Sequence, residues 1–339
     1  MATVYMNGFE WNSFYENILS WYGCTITSSF PLSGNYCLRV NGYNHYLRWQ
    51  TSPLNEFYIQ VAFKISNSYN EGNILKWQSG STVIGSLTFE PLYQTLSIWK
   101  GDKVTRLGTS STQLLYNQWY YIEIHMLLDA TSGVATLKID GLSQFTFSGS
   151  TTPSATTIDL FYLVGNISGV STTTSAYYWA DDIVVNDITG VNNNSWPNGA
   201  KIVLLFPTGR GYSSQWEKMA HLDNYENVDN FPSLDPVDYL LTNLNERLDL
   251  YLINDLPIDA FSVATARIDA WALKNSGSDI MLNLALRTGD VTFLSIDHEL
   301  GVSYALYQWL HQMNPGTSIN WTVADVNNLQ GGMRSEIPE

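Results

Sequence analysis

Thirty-one Asp and Glu side chains make acid–base chemistry the first possibility to weigh. Glycoside hydrolysis needs two carboxylates about 5–10 Å apart across a cleft, one protonated and one ionised. On a regular strand such groups share a face only at alternate positions. Asp181 and Asp182 are adjacent, so regular alternation directs them to opposite faces, while Asp297 and Glu299 flank His298 at a strand end. Solvated loop carboxylates are the default for the second pair, and no catalytic residue is assigned. Nucleophilic chemistry has less support. There is no Gly-x-Ser-x-Gly elbow, and Gly209-Arg-Gly211 lacks the rest of a phosphate-cradling loop. His45, His125, His221, His298 and His311 contain no i, i+2 or i, i+4 pair of the kind that holds a transition metal. Sugar recognition fits better, because a pyranose stacks its apolar face on an aromatic ring while a few polar groups read its hydroxyls. Trp119, Tyr121 and Trp49 are the candidate platforms, with Tyr43, His45 and Tyr46 near the last. Against each stands the commoner use of such rings in cores and interfaces.

The elements that must position these residues are strands. Trp119 to Leu128 alternates, with Tyr120, Ile122, Ile124, Met126 and Leu128 on one face. Asp140-Gly141 supplies the two positive-φ residues of a tight hairpin turn. Similar runs at Glu56–Ile65, Thr82–Phe89, Thr95–Trp99, Ile158–Val164 and Tyr177–Val185 predict about ten strands in the first half. The cluster Gly190 to Gly199 has no periodicity and predicts a junction. Beyond it, strands are expected at Lys201–Phe206, Asp249–Ile253, Ala260–Leu273, Ile280–Arg287, Val291–Ile296 and Ser303–Leu310. One short helix is expected after Thr322, which can cap it, with Gly331 as its end. The expected fold is all-β: a jelly-roll sandwich over 1–190, a linker at 191–200 and a second β-sandwich-like domain over 201–339.

The chain has 339 residues and a formal charge of −15. That field repels phosphate backbones, so nucleic acid is not expected as a partner. No 18-residue stretch is continuously apolar, and no membrane insertion is expected. The N-terminus carries no basic start or apolar core of a secretory signal. Cys24 and Cys37 are read as buried free thiols.

The order of Gly8-Phe9-Glu10, Gly34 to Leu38, Trp119 to Ile124, the Gly133 to Gly141 hairpin and Tyr178 to Val185 resembles concanavalin A-like lectin, or laminin-G-like, jelly rolls. The continuation through Asp187 to Trp196, Val203 to Pro207, Gln215-Trp216, Asn224 to Asp229, Asp249-Leu-Tyr251 and Trp321 to Asn327 resembles a family of tailed-bacteriophage virion proteins. Sandwiches of this type often hold calcium where first and last strands meet, and Glu10, Asp181 and Asp182 are the candidate ligands, with no other cofactor expected. The resemblance implies a non-enzymatic virion structural protein on the tail or capsid exterior. Its partners would be other virion proteins, copies of itself and a cell-surface glycan. It would be assembled in host cytoplasm and be extracellular after lysis. The alternatives are a freestanding carbohydrate-binding module and a polysaccharide depolymerase.

Overall fold

The computed structural model describes residues 3–338 apart from 13, 15–17, 42–43, 67–70, 166–176, 230–237 and 276–278; Tyr43 lies outside the described residues. The chain forms two compact units, Met1–Val203 and Leu204–Glu339. Residues 191–200, expected as a linker, belong to the first.

Unit 1 is built from β1 (Thr3–Asn7), β2 (Ile18–Tyr22), β3 (Cys24–Thr27), β4 (Cys37–Asn41), β5 (His45–Leu54), β6 (Glu56–Ile65), β7 (Gly72–Ser79), β8 (Thr82–Glu90), β9 (Thr95–Lys100), β10 (Thr105–Thr109), β11 (Trp119–Leu127), β12 (Gly133–Ile139), β13 (Leu142–Gly149), β14 (Ile158–Gly165) and β15 (Tyr177–Asp187). Two antiparallel sheets stack in a jelly roll. One has the order β13-β12-β11-β6-β15-β4-β3, with β1 also on β15, and the other the order β10-β9-β8-β7-β14-β5-β2. Alternation decides which side chains face inward. Ile122, Ile124 and Met126 of β11 meet Leu75, Trp77, Leu87, Phe161 and Leu163 of the second sheet in one core. Asp140 and Gly141 have φ of 49° and 76°, the turn that their types predict. Cys24 and Cys37 are buried and free.

The outer face of the first sheet is covered by the chain itself. Asn186 Nδ2 donates to Ser195 O (2.9 Å) and Asn198 N to Glu123 Oε1 (2.7 Å). Gln60 grips Ala200 twice, donating to its O (2.8 Å) and accepting from its N (3.0 Å). Buried polar groups need partners, and on this buried face the strap pairs Gln60 and one carboxylate oxygen of Glu123.

Unit 2 is built from β16 (Pro207–Ser214), β17 (Glu217–Lys218), β18 (Leu240–Leu241), β19 (Leu248–Ile253), β20 (Ala266–Ala272), β21 (Met281–Thr288), β22 (Val291–Leu294), β23 (His298–Glu299), β24 (Ala305–His311), α1 (Val323–Asn327) and β25 (Gln330–Glu336). A main sheet runs β16-β19-β25-β21-β22, and β20-β24 form a separate ribbon. The ribbon packs Ile268, Ala270, Tyr307 and Trp309 against Leu282 and Leu284. Lys201–Phe206, expected as a strand, is irregular; the strand begins at Pro207. Thr322 does cap α1, in a capping box with Asp325. The helix stops at Asn327, and Gly331 lies in β25 instead of ending it. A Cβ on Gly332 would stand 2.0 Å from Asp249 O, so close pairing of β25 with β19 requires glycine there.

Candidate functional site

The carboxylate cluster occupies the meeting of the first and last strands of unit 1. The register of β15 on β6 breaks between Asp181 and Val184, and Asp182 has φ of 46°. This bulge corrects the expectation that adjacent acids face opposite ways: both reach Ser33. Asp181 Oδ2 accepts from Leu32 N (3.0 Å) and Ser33 N (3.4 Å), and its Oδ1 from Asp182 N (2.9 Å). Asp182 Oδ1 accepts from Ser33 Oγ (2.7 Å) and Ile202 N (2.8 Å), and its Oδ2 from Tyr121 Oη (3.2 Å). Glu10 Oε2 accepts from Asn35 N (2.8 Å), and its Oε1 is buried. Burial and mutual repulsion raise the pKa of Asp181, and burial raises that of Asp182.

This donor set does not fit calcium. A hard cation needs six to eight oxygens turned toward it, whereas the oxygens of the Asp pair already face N–H and O–H donors. Among the described residues no three Asp, Glu, His or Cys side chains gather into a metal set. The cluster instead locks strand ends and strap together.

Burial pushes Glu10 up to about 7. Its neutral form is therefore favoured by folding, so this stabilisation is complete below about pH 4.5 and is lost as pH rises through 7. The expected loss is about 1–2 kcal/mol after allowance for solvent screening, read as a melting temperature that falls between these pH values. Glu10→Gln should make this slope shallower, the remainder coming from Asp181 and Asp182, which burial also raises. An equally steep slope in that variant would assign the effect elsewhere.

Of the three expected sugar platforms, one lies in the core. Trp49 is 0% exposed and stacks between Tyr5 (5.1 Å) and Phe161 (5.5 Å), so its assignment as a platform is corrected: the core claims both ring faces. Tyr121 donates to Asp182, and its ring lies against Gly199 of the strap. Trp119 is half-buried and, with Phe30 and Trp179, surrounds the Lys64 ammonium at 6.0, 4.3 and 4.9 Å from the ring centres. Asp297 accepts from Asn283 Nδ2 (2.7 Å).

A second constellation was missed. Leu47 and Trp49, Phe161 and Leu163, and Leu75 and Trp77 all point into the core, so the residue between each pair points out. Those residues are Arg48, Tyr162 and Lys76. Register places Tyr162 opposite both Arg48 on β5 and Lys76 on β7. The row continues through Ser86 and Trp99 to Arg106. Arg48 Nη1 donates to Tyr162 Oη (3.2 Å), and its buried Nε has no partner among the described residues. Lys76 Nζ lies 2.9 Å from Asp102 Oδ2. A phenol flanked by two cations on the outward side of a sheet can hold an anionic group and move a proton beside it. The sequence signal was a polar residue between two apolar ones in Leu47-Arg-Trp49, Leu75-Lys-Trp77 and Phe161-Tyr-Leu163. Nothing local indicated that the three strands are neighbours.

No family model and no curated protein matches the chain. Among solved structures it is similar to endo-β-1,4-glucuronan lyase from the fungus Trichoderma reesei (13% identity, 54% of this chain and 94% of that one, TM-score 0.41). It is also similar to alginate lyase Aly36B (14%, 56% and 93%, 0.38) and to the receptor-binding domain of a botulinum neurotoxin C/D mosaic serotype (11%, 55% and 48%, 0.41). At such identities the likeness is one of fold. The expectation of a bacteriophage virion structural protein is corrected, the similar structures named being polysaccharide lyases, sialidases and toxin binding domains.

Proposed function

We propose that unit 1 binds an acidic polysaccharide across the outer face of its seven-stranded sheet and cleaves it by β-elimination. The observation that carries this reading is the in-register row Arg48–Tyr162–Lys76. A carboxylate on the sugar ring would be held by Arg48, whose planar fork matches it, and by the Lys76 ammonium. Their charge stabilises the electron density that builds on the carboxylate when the adjacent C–H proton leaves. Tyr162, its own phenolic proton first given up to solvent, takes that proton on Oη, the bond from the β-carbon to the glycosidic oxygen breaks, and a C=C bond forms. The phenol then returns the proton to the departing oxygen. Atoms and charge balance without water or a redox partner.

The assay is incubation with polygalacturonate, alginate and glucuronan, followed by ultraviolet absorbance of the unsaturated product. Absorbance should rise with at least one polymer and stay flat for neutral glucans. Binding without a rise would reduce the reading to a carbohydrate-binding module, and neither binding nor a rise would overturn it.

A further inference from the structure

The turn between β9 and β10 folds back over the outer face that carries the row. Asp102 Oδ2 lies 2.9 Å from Lys76 Nζ, and Asp102 Oδ1 accepts from Asn73 Nδ2 at 2.7 Å. Lys103 Nζ lies 3.1 Å from Glu71 Oε1, and Ser86 Oγ donates to Gly101 O at 3.2 Å. Four attachments therefore hold a short exposed turn on β7, β8 and the residue preceding β7. The Lys76 side chain is 12% exposed under this turn, whereas that of Asp102 is 50% exposed. The amine is sheltered and the carboxylate that shelters it faces solvent.

Resting on the reading above, we propose that Asp102 is a specificity-determining residue: its carboxylate holds Lys76 in the free protein and is replaced there by the carboxylate of the polysaccharide. Exchange of one carboxylate for another keeps the ammonium compensated. A neutral hydroxyl in the same place would leave Lys76 without its counter-charge. A small carboxylate such as acetate has too few other contacts to displace a partner already held at high local concentration. A polymer can do so through the rest of the row. Asp102 thus filters carboxylates by what they are attached to. Burial alone would raise the Asp102 pKa, but Lys76 and Asn73 outweigh it and hold the group below the usual carboxylate range, so the competitor is ionised at neutral pH.

The test measures binding and cleavage of the polymer found active above, with Asp102→Asn, Asp102→Ser and Lys103→Ala, the last loosening the turn while keeping the competing carboxylate. At low salt both Asp102 variants should bind the polymer at least about fivefold more tightly than the unaltered protein, and acetate should inhibit them at concentrations that leave the unaltered protein unaffected. Lys103→Ala should stay acetate-resistant. If the unaltered protein cleaves the polymer and the folded Asp102 variants bind it no more tightly, or lose turnover at unchanged affinity, Asp102 merely positions Lys76 and the filter is wrong. If no form binds or cleaves any acidic polymer, the functional reading fails first and the filter with it.

Discussion

Tyr162→Phe is expected to lower turnover of the acidic polysaccharide by about 10²–10⁴-fold, the range for losing a positioned proton-transfer group, with substrate affinity little changed. The argument is local. Phe keeps the ring beside Tyr46 (6.1 Å between centres) and below the Arg48 guanidinium (5.7 Å), so the sheet face keeps its shape. Only the oxygen disappears, and with it the acceptor of the Arg48 Nη1 hydrogen bond. Arg48 and Lys76 still hold the carboxylate, so KM should move far less than kcat. Arg48→Ala should show a contrasting pattern, raising KM as well, because it removes ground-state binding along with stabilisation of developing charge. Retention of more than about a tenth of kcat in a folded Tyr162→Phe variant would remove Tyr162 from the proton path.

The sequence made the fold legible to a different depth from the site. Period-two alternation in Trp119–Leu128 and the Asp140-Gly141 turn are local facts, and both strands of that hairpin formed where expected. The Thr322 cap was equally local. Asp181 and Asp182 were misread because a bulge is set by what pairs with the strand, here β6, and regular alternation does not contain it. Trp49 was misread because alternation separates two faces without saying which is the core. Arg48, Tyr162 and Lys76 are separated in sequence by up to 114 positions and become neighbours only through the order β7-β14-β5. Each strand taken alone carries one unremarkable polar residue between apolar ones. The chemistry lies in register between distant strands, and register is the property least accessible to a pattern read along one chain.

The same distinction explains the motifs of unit 2 and gives the second large expected effect. Gln215-Trp216, Asn224 and Asp249-Leu-Tyr251 suggested kinship by their order, and the fold brings them to one carboxylate. Asp249 Oδ1 accepts from Trp216 N (2.9 Å) and from Gln215 N, while Oδ2 accepts from Tyr251 Oη (3.2 Å) and from Asn224 Nδ2. Asp249 is 0% exposed, and burial raises its pKa despite these donors. Such an acid pins the loop after β16 to β19, and its removal leaves several buried donors unpaired at about 1–3 kcal/mol each. Asp249→Ala should therefore destabilise unit 2 by about 3–5 kcal/mol, more than most single substitutions do. Asp249→Asn should recover only part of this, because its amide NH₂ would face another donor, Asn224 Nδ2 or a backbone N–H. Denaturant unfolding followed by hydrogen exchange across β16 and β19 would read the loss, and polysaccharide cleavage by unit 1 should persist at temperatures where unit 1 stays folded. A loss below about 1 kcal/mol, the net worth of one ordinary hydrogen bond, would mean that the motifs converge on Asp249 without depending on it.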